Sequence, residues 1–291
     1  MRIINNYLHQ DDYRKSLNDL SIAIFRHDLE PWYDEGFFND KYIPYSYICE
    51  GKVVANVSIS LMEFIIENKK KKAIQIGTVM TDRQFRKRGL IKQLMNEIIT
   101  RYEHEVDFFY LFANDRVTRL YPKFGFTKVV EKHYTLYAQD VKKVPAPLRK
   151  LNPVNERDYT FLKQRMMERI PVSRQLGAVH DQWPLATSML DQQTTFLNRY
   201  YLECEDVIVL AKREASSLNI YDIISHKPFS LDRILDKMVQ PTDYMIDIHF
   251  MPELERYQPR KTVANWQDDT LFIRSKDQLP VDILFPLTSH I

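Results

Sequence analysis

Residues 73 to 113 hold the pattern that most constrains the fold. A run with strand composition, AIQIGTVMT, is followed by the polar turn DRQFRKR, the run GLIKQLMNEIITRYEHE and the apolar run VDFFYLFA. Leu90, Leu94, Ile98 and Tyr102 recur at four-residue spacing, which is typical of a helix with one buried face. The apolar run is short and aromatic, as in a strand buried on both faces. A strand, a helix and a buried strand in this order predict a right-handed crossover and two parallel strands.

The turn before this helix is strongly cationic. Arg83, Arg86, Lys87 and Arg88 stand directly before Gly89, where the helix is predicted to begin. A helix N-terminus presents unpaired N–H groups and the positive end of the helix dipole, and glycine lets an anion approach the backbone closely. The pattern therefore predicts an anion site such as one for a diphosphate, and the alternative is a solvated basic loop.

The net charge and the glycine pattern argue against several classes of function. Forty-one Lys and Arg face 39 Asp and Glu, so the formal charge of +2 gives no global field for nucleic acid or an acidic membrane. The basic stretches NKKKK and RQFRKR leave nucleic-acid binding as the weakest hypothesis. The six glycines form neither a P-loop nor a dinucleotide-binding fingerprint, so nucleotide hydrolysis and nicotinamide binding are poorly supported.

The rest of the first half predicts an α/β domain. We expect a helix over residues 11 to 27, then extended runs in YIPYSYICEG and KVVANVSISLMEFIIE. NKKKK is predicted to be a solvated turn, and NDRVTRLYPKFGF a short helix that stops near Pro122 and Gly125.

A proline-rich segment divides the chain. QDVKKVPAPLRKLNP contains three prolines and several cations, which is typical of an inter-domain connection. After it the chain repeats a helix, a strand pair in DVIVLAKREASSLNIYDIIS, a helix in SLDRILDKM and a strand in DYMIDIHF. This order predicts a faint internal duplication, with two unrelated α/β domains as the alternative. The apolar end VDILFPLTSHI is predicted to form a terminal strand.

Two motifs resemble one family. VMTDRQFRKRGLIKQLM is similar to the acyl-coenzyme A motif R/Q-x-x-G-x-G/A of the GNAT superfamily of N-acetyltransferases, with Arg86 and Gly89 at its first two fixed positions and Ile91 at the third. NDRVTRLYPKFGF is similar to a second family segment, in which an asparagine follows the buried strand and a tyrosine precedes a K-x-G-F turn. The resemblance covers roughly residues 1 to 140.

The resemblance implies a fold and a division of the chain. We expect an α/β (α+β) protein of two tandem GNAT-like domains, each a mixed, mostly antiparallel twisted sheet flanked by helices around a splayed parallel strand pair. Residues 1–140 would be the catalytic domain, 141–153 the linker and 154–291 a degenerate domain without a cofactor motif.

The resemblance also implies acetyl-CoA as cosubstrate and an amine as acceptor. The expected cofactor-binding residues lie on the first parallel strand, in the cationic turn and after the buried strand: Val79, Met80, Thr81, Arg86, Lys87, Arg88, Gly89, Leu90, Ile91 and Asn114. For Asn114, capping of the short helix is the alternative.

Two residues are candidates for catalysis. Tyr121, next to Pro122, is the expected proton donor to the departing thiolate, with a packed aromatic as the alternative. No carboxylate occurs in the strand Ala73 to Thr81, so the general base must come from elsewhere. The stretch HDLEPWYDEGFFND mixes carboxylates with Trp32, Tyr33, Phe37 and Phe38, and its Glu35 is the predicted base or ammonium anchor, with a plain surface loop as the alternative.

The remaining expectations concern partners and compartment. The two cysteines, Cys49 and Cys204, are predicted to be free thiols, as in a cytoplasmic protein. The histidines match no metal motif, and no run is long enough for a membrane span, so we expect neither a bound metal nor a membrane partner.

The acceptor is expected to be a small-molecule or peptide amine, and a homodimer is possible. A non-catalytic acyl-CoA sensor is the alternative to an enzyme, because Ile91 and the missing strand carboxylate allow it.

Overall fold

The computed structural model describes residues 1–37, 40–144, 146–189 and 198–290. The α-helices in this part of the chain are α1 (Asp11–Phe25), α2 (Glu30–Asp34), α3 (Leu90–Tyr102), α4 (Glu156–Glu168), α5 (Gln182–Met189) and α6 (Leu231–Met238). The strands of the first half are β1 (Arg2–Asn5), β2 (Tyr42–Cys49), β3 (Lys52–Ile66), β4 (Lys69–Thr81), β5 (Phe108–Ala113), β6 (Thr127–Lys128) and β7 (Lys132–Tyr137). Those of the second half are β8 (Arg149–Leu151), β9 (Leu176–Val179), β10 (Asn198–Leu202), β11 (Val207–Glu214), β12 (Ser217–Ile224), β13 (Met245–Ile248), β14 (Arg260–Val263) and β15 (Thr270–Ser275).

The first sheet has the order β1-β2-β3-β4-β5-β15-β6, and β9 pairs with the far end of β3. Helix α3 packs on one face of this sheet, where Leu94, Met95 and Ile98 join the apolar residues of β3, β4 and β5. Helix α1 packs on the other face through Leu17 and Leu20. The helices cover both faces because the sheet residues alternate between two apolar sides.

The predicted parallel pair is present and splayed. Strands β4 and β5 pair only through Ala73–Gln75 and Phe108–Tyr110, although β4 continues to Thr81 and β5 to Ala113. Beyond these three rungs the strands diverge and leave a V-shaped opening, which we call the fork. The predicted mixed α/β fold with a splayed parallel pair is therefore confirmed.

The second sheet repeats this arrangement in the order β14-β7-β13-β12-β11-β10-β8. Strands β11 and β12 form the predicted antiparallel pair, α6 makes the crossover, and β13 lies parallel to β12. The two sheets also exchange strands, since β15 pairs with β5 of the first sheet and β7 pairs with β13 of the second.

The strand exchange joins the two halves in one core. The largest apolar cluster combines Phe64, Phe108 and Tyr110 of the first sheet with residues such as Ile220 and Phe285 of the second half. The division into 1–140, 141–153 and 154–291 stays a prediction, and β7 and β15 each belong to the sheet of the other predicted domain.

The short helix predicted in NDRVTRLYPKFGF is present as a 3₁₀ helix over Tyr121–Phe124 that ends at Gly125. Pro122 stands in its first turn, where the missing N–H is tolerated.

Two local predictions were wrong. The lysines of NKKKK do not form a solvated turn but begin β4, and Glu67 and Asn68, with φ of 49° and 63°, form a two-residue turn before them. Such a turn follows the twist of the two strands, so no longer loop is needed.

The second concerns the C-terminal stretch, which is buried without forming a strand. Ile283, Leu284 and Phe285 are almost inaccessible, but the main-chain N–H of Phe285 donates to Oε1 of Glu131 at 2.9 Å instead of to a neighbouring strand. A side-chain carboxylate thus replaces the ladder partner that the sequence pattern suggested.

Candidate active site

A β-bulge shapes the fork on the β4 side. The register between β3 and β4 shifts between Asn56 and Ser58, and Thr78 takes a left-handed φ of 48°. The Asn56 side chain donates to the Thr78 carbonyl at 2.8 Å, and the hydroxyls of Thr78 and Tyr42 are 3.0 Å apart. These bonds stabilise the bulge, which bends β4 away from β5.

The bend leaves one edge of β4 open to the fork. Met80 and Thr81 still pair with β3, but in the described chain no strand pairs with the edge of residues 76–81 that faces β5. Met80 is buried, while Val79 and Thr81 are partly exposed. The main-chain groups of this edge are available to an extended ligand, as the resemblance implied.

The cationic turn ends at the bare N-terminus of α3. Gly89 is the N-cap, with φ of 74°, and a Cβ built there would meet no atom within 4 Å. The first main-chain bond of the helix runs from Gln93 to the Gly89 carbonyl at 3.2 Å. The N–H groups of Leu90, Ile91 and Lys92 therefore have no partner within the helix. This geometry suits a diphosphate.

The arginines of the turn are held by main-chain carbonyls. Arg86 Nε donates to the Thr81 carbonyl at 3.3 Å, and Arg88 Nη2 donates to the Gln84 carbonyl at 3.1 Å while its guanidinium lies over the Phe85 ring. Lys87 is exposed and has a left-handed φ of 62°. Three cations thus surround the helix N-terminus, where the field of the dipole is strongest.

Tyr121 lies on the α3 side of the sheet, in the 3₁₀ helix after β5. It is 4% exposed, and its ring packs against Phe126 and Phe272. Burial raises the pKa of Tyr121 to about 12, so the phenol carries its proton at neutral pH. Asn114 stands at the end of β5, where its carbonyl accepts from the Val117 N–H at 3.1 Å.

Glu35 lies away from Tyr121, against the second half of the chain. Its carboxylate accepts a hydrogen bond from the Tyr159 hydroxyl of α4 and lies 3.9 Å from Lys163 Nζ. Its side chain is 48% exposed. Of the aromatics predicted to grip an acceptor, Phe37 is buried next to Trp32, and Phe38 lies outside the described residues.

A group of buried polar residues that the sequence analysis missed lies at the apex of the fork. Gln75 and Tyr110 form its last rung, with the Tyr110 hydroxyl donating to Gln75 Oε1 at 3.1 Å. On the same side of the sheet, Arg169 is fully buried between Asp181 and Asp222. These residues are far apart in sequence, so no local pattern connects them.

The second half differs at the equivalent place. A cavity of about 990 Å³ lies near the start of α6. There, however, the Asp232 carboxylate accepts from the N–H groups of Glu255 and Arg256 at 2.9 and 3.0 Å. A carboxylate at this helix N-terminus opposes a bound anion, which supports a single cofactor site at α3.

The described residues contain neither a helix fit to cross a membrane nor a cluster of metal-ligating side chains. No helix there has both the length and the apolar character that a bilayer crossing requires. No group of three or more metal-ligating side chains is found in the same part of the chain. Both cysteines are free, as predicted.

Comparisons with known proteins agree with the architecture. A model of the acetyltransferase (GNAT) domain matches residues 9–129. A probable N-acyltransferase from Enterococcus faecalis superimposes with a TM-score of 0.63 at 15% identity, covering 94% of this chain and 72% of that one. A GCN5-related N-acetyltransferase from Kribbella flavida gives 0.59 at 14% identity, covering 97% and 72%. A putative acetyltransferase from Pyrococcus horikoshii gives 0.50 at 14% identity, covering 99% and 96%.

No curated protein sequence matches the chain. At such low identity the solved structures show the fold, whereas the domain match falls on the segment that contains the fork, the cationic turn and Tyr121. Residues 9–129 therefore match the acetyltransferase (GNAT) domain, within a fold that the whole chain shares with solved N-acetyltransferases.

Proposed function

We propose that the protein transfers the acetyl group of acetyl-CoA to a primary amine by direct attack in a ternary complex. The observation that carries this proposal is the open fork between β4 and β5 beside the bare N-terminus of α3. The open edge of β4 can form main-chain hydrogen bonds with an extended part of a ligand. The N–H groups at the N-terminus of α3 can form hydrogen bonds with an anionic part. Acyl-CoA has both parts in one molecule.

In this proposal the cosubstrate lies along β4. The N–H groups of residues 86–91 bind the diphosphate, and Arg86, Lys87 and Arg88 add positive charge around it. The pantetheine arm runs along the open edge formed by Val79, Met80 and Thr81, and Asn114 closes the β5 side. Gly89 supports this placement because nothing occupies the space where its side chain would be. Ile91 is partly exposed at the same helix start.

Tyr121 is the proposed donor of the proton that the departing thiolate needs. Its pKa of about 12 lies roughly 3.5 units above that of a free thiol, so the transfer costs about 5 kcal/mol in water-like surroundings. The thiolate forms in the same buried space, which raises its proton affinity too and reduces this difference. Burial therefore keeps the phenol protonated without excluding it as an acid.

In this proposal the second half of the chain forms one side of the pocket for the acceptor amine. It does not bind a second acyl-CoA. The contacts of Tyr159 and Lys163 with Glu35 of the stretch HDLEPWYDEGFFND support this arrangement. These contacts favour an anchoring role for Glu35 at the junction of the two halves.

The proposal is tested by titrating the purified protein with acetyl-CoA in a calorimeter and then incubating the complex with a library of polyamines, aminoglycosides and peptide amines. Mass spectrometry of the amines is expected to show a gain of one acetyl group in at least one class. Tight acetyl-CoA binding without transfer to any amine would instead identify a non-catalytic acyl-CoA sensor.

A further inference from the structure

A row of buried polar side chains crosses the face of the first sheet that lies opposite α3. Neighbouring strands β2, β3, β4 and β5 each place one residue in register in this row, and all four are at most 4% exposed: Tyr42, Ser60, Gln75 and Tyr110. Side chains at paired positions point to the same face, so the row ends at the apex of the fork. Polar groups here must meet polar partners, because the surroundings are apolar.

Asp181 of the second half lies over this row. Strand β9 pairs antiparallel with β3 up to Val179 and Glu63, and His180, with a left-handed φ of 55°, then turns the chain. Asp181 is 2% exposed, and within the described chain neither of its carboxylate oxygens has a hydrogen-bond partner. Burying a carboxylate that makes no hydrogen bond costs folding free energy. The presence of Asp181 at this position therefore calls for an explanation.

The charges around Asp181 do not balance. Arg169 Nη1 lies 3.6 Å from Asp181, but both terminal nitrogens of Arg169 donate to Asp222, at 3.0 and 3.2 Å. Asp222 also accepts a hydrogen bond from the Thr288 hydroxyl. One guanidinium thus serves two carboxylates and is committed to Asp222. Burial, and secondarily the Asp222 charge, raise the pKa of Asp181.

A small cavity opens in front of Asp181. It has a volume of about 10 Å³ and is lined by Tyr42, Ser60 and Asp181, with Lys41 and His180 among its other walls. This is roughly the space of one water molecule or one amine nitrogen. The cavity connects an unsatisfied carboxylate with the polar row that leads to the fork.

We infer that Asp181 is the proton acceptor for the amine substrate, acting through one water molecule in this cavity. The inference rests on the proposed acetyl transfer and supplies the base that β4 lacks. It also sets the acceptor class, since a site with one uncompensated buried negative charge favours an amine that arrives as a cation.

The step balances as follows. The acceptor nitrogen arrives as an ammonium and loses two protons on becoming an amide. One proton goes to Asp181 and leaves to solvent after product release, which frees the lone pair that attacks the thioester carbon. The C–S bond then breaks, Tyr121 protonates the thiolate sulfur, and the second nitrogen proton returns to Tyr121.

The test compares wild type with Asp181→Asn in the complete chain. Asn is isosteric and leaves Arg169 paired with Asp222, so we expect a cooperative thermal transition and unchanged acetyl-CoA affinity. We expect kcat/KM for the amine found in the library screen to fall by about 10²- to 10⁴-fold. The matched control is Glu131→Gln, another buried carboxylate with a raised pKa, which accepts from the Phe285 N–H outside the cavity and is expected to keep its turnover.

A pH profile separates a base from a structural residue. The wild-type kcat/KM is expected to fall toward acid pH as Asp181 becomes protonated, and this limb is expected to be absent from Asp181→Asn. The titratable or charged groups that face Asp181 keep their places in both proteins: Arg169, Asp222, Tyr110, Tyr42, His180 and Lys41.

A second variant tests the cavity without changing any charge. Ser60→Val replaces the hydroxyl by a methyl group and adds a second methyl group from the β3 side, and it is expected to lower turnover at least about tenfold with acetyl-CoA binding retained. Turnover of Asp181→Asn or Ser60→Val within threefold of wild type would overturn the role of Asp181 alone. A wild-type protein that acetylates no amine would overturn the proposed function and this inference together.

Discussion

The hydroxyl of Tyr110 donates to Oε1 of Gln75 at 3.1 Å across the last rung that β4 and β5 share. On one side of this pair the strands hold each other by main-chain bonds, and on the other side they separate around the fork. Burial, and secondarily the charge of Asp181 from the second half, raise the pKa of Tyr110. The apex of the fork is therefore one of the places where the two halves of the molecule meet.

The helix N-terminus at Gly89 is expected to govern acetyl-CoA binding. The double variant Arg86→Glu with Gly89→Asp puts two negative charges where the diphosphate is proposed to lie, and aspartate tolerates the left-handed φ of 74°. We expect acetyl-CoA affinity, measured by calorimetry, to fall at least about 100-fold, because charge-assisted bonds worth about 1.5–3 kcal/mol each are lost.

The matched control for that variant is Arg101→Glu, which reverses a charge in the last turn of the same helix. It is expected to leave the affinity within about twofold of wild type. Wild-type affinity in the double variant would place the cofactor elsewhere.

Tyr121→Phe is expected to lower kcat by about 10²- to 10⁴-fold with little change in acetyl-CoA affinity, because only the transferable proton is removed. The phenyl ring still packs against Phe126 and Phe272. Steady-state kinetics and calorimetry on the same preparation check both parts. Tyr45→Phe, which removes another buried hydroxyl bonded to Tyr102 at 3.1 Å, serves as control and is expected to keep its kcat. Full activity of Tyr121→Phe would remove the phenol from the mechanism.

Arg169 is expected to be a large contributor to stability. Arg169→Met leaves the buried carboxylates Asp181 and Asp222 without their cation, and such a loss costs about 3–5 kcal/mol. Urea unfolding followed by circular dichroism measures the change. The control Arg174→Met breaks a pair with Glu253 in which the arginine is 69% exposed, and we expect a loss below about 1 kcal/mol. Equal losses in both variants would contradict the importance of burial here.

His249 is expected to make the protein less stable in acid. Burial, with a smaller contribution from His133, lowers its pKa from 6.5 to about 3, and Nε2 lies 2.9 Å from Asn219 Oδ1. Below pH 6.5 the unfolded chain binds a proton at this residue that the folded chain does not, so stability falls as the pH drops toward 3. We expect this residue to account for a loss of about 2 kcal/mol between pH 6.5 and 4.5.

Unfolding free energies at several pH values check this expectation. His249→Gln is expected to flatten the dependence, and His104→Gln, a change at an exposed histidine, to leave it as in wild type. A slope in His249→Gln equal to that of wild type would assign the acid sensitivity to other groups.

The sequence by itself determined most local elements of the first half and the place where helix α3 begins. Leu90, Leu94 and Ile98 define a helical face by spacing alone, and Gly89 after three cations marks where that helix begins, because backbone conformation and charge act within one or two turns. The error at residues 67–72 is also local, since a two-residue turn leaves only a weak pattern in a sequence.

Only the tertiary structure decided which distant residues share the apex of the fork. Asp181 reaches Tyr110 because β9 adds to the end of β3, and β15 reaches β5 because the sheets exchange strands. Neither pairing can be predicted from the spacing of residues in the sequence. Strand partners depend on which sheet faces become buried, and here the paired strands are more than 100 residues apart in the chain. The carboxylate that β4 lacks was therefore invisible in the first half of the sequence, because the fold takes it from the second.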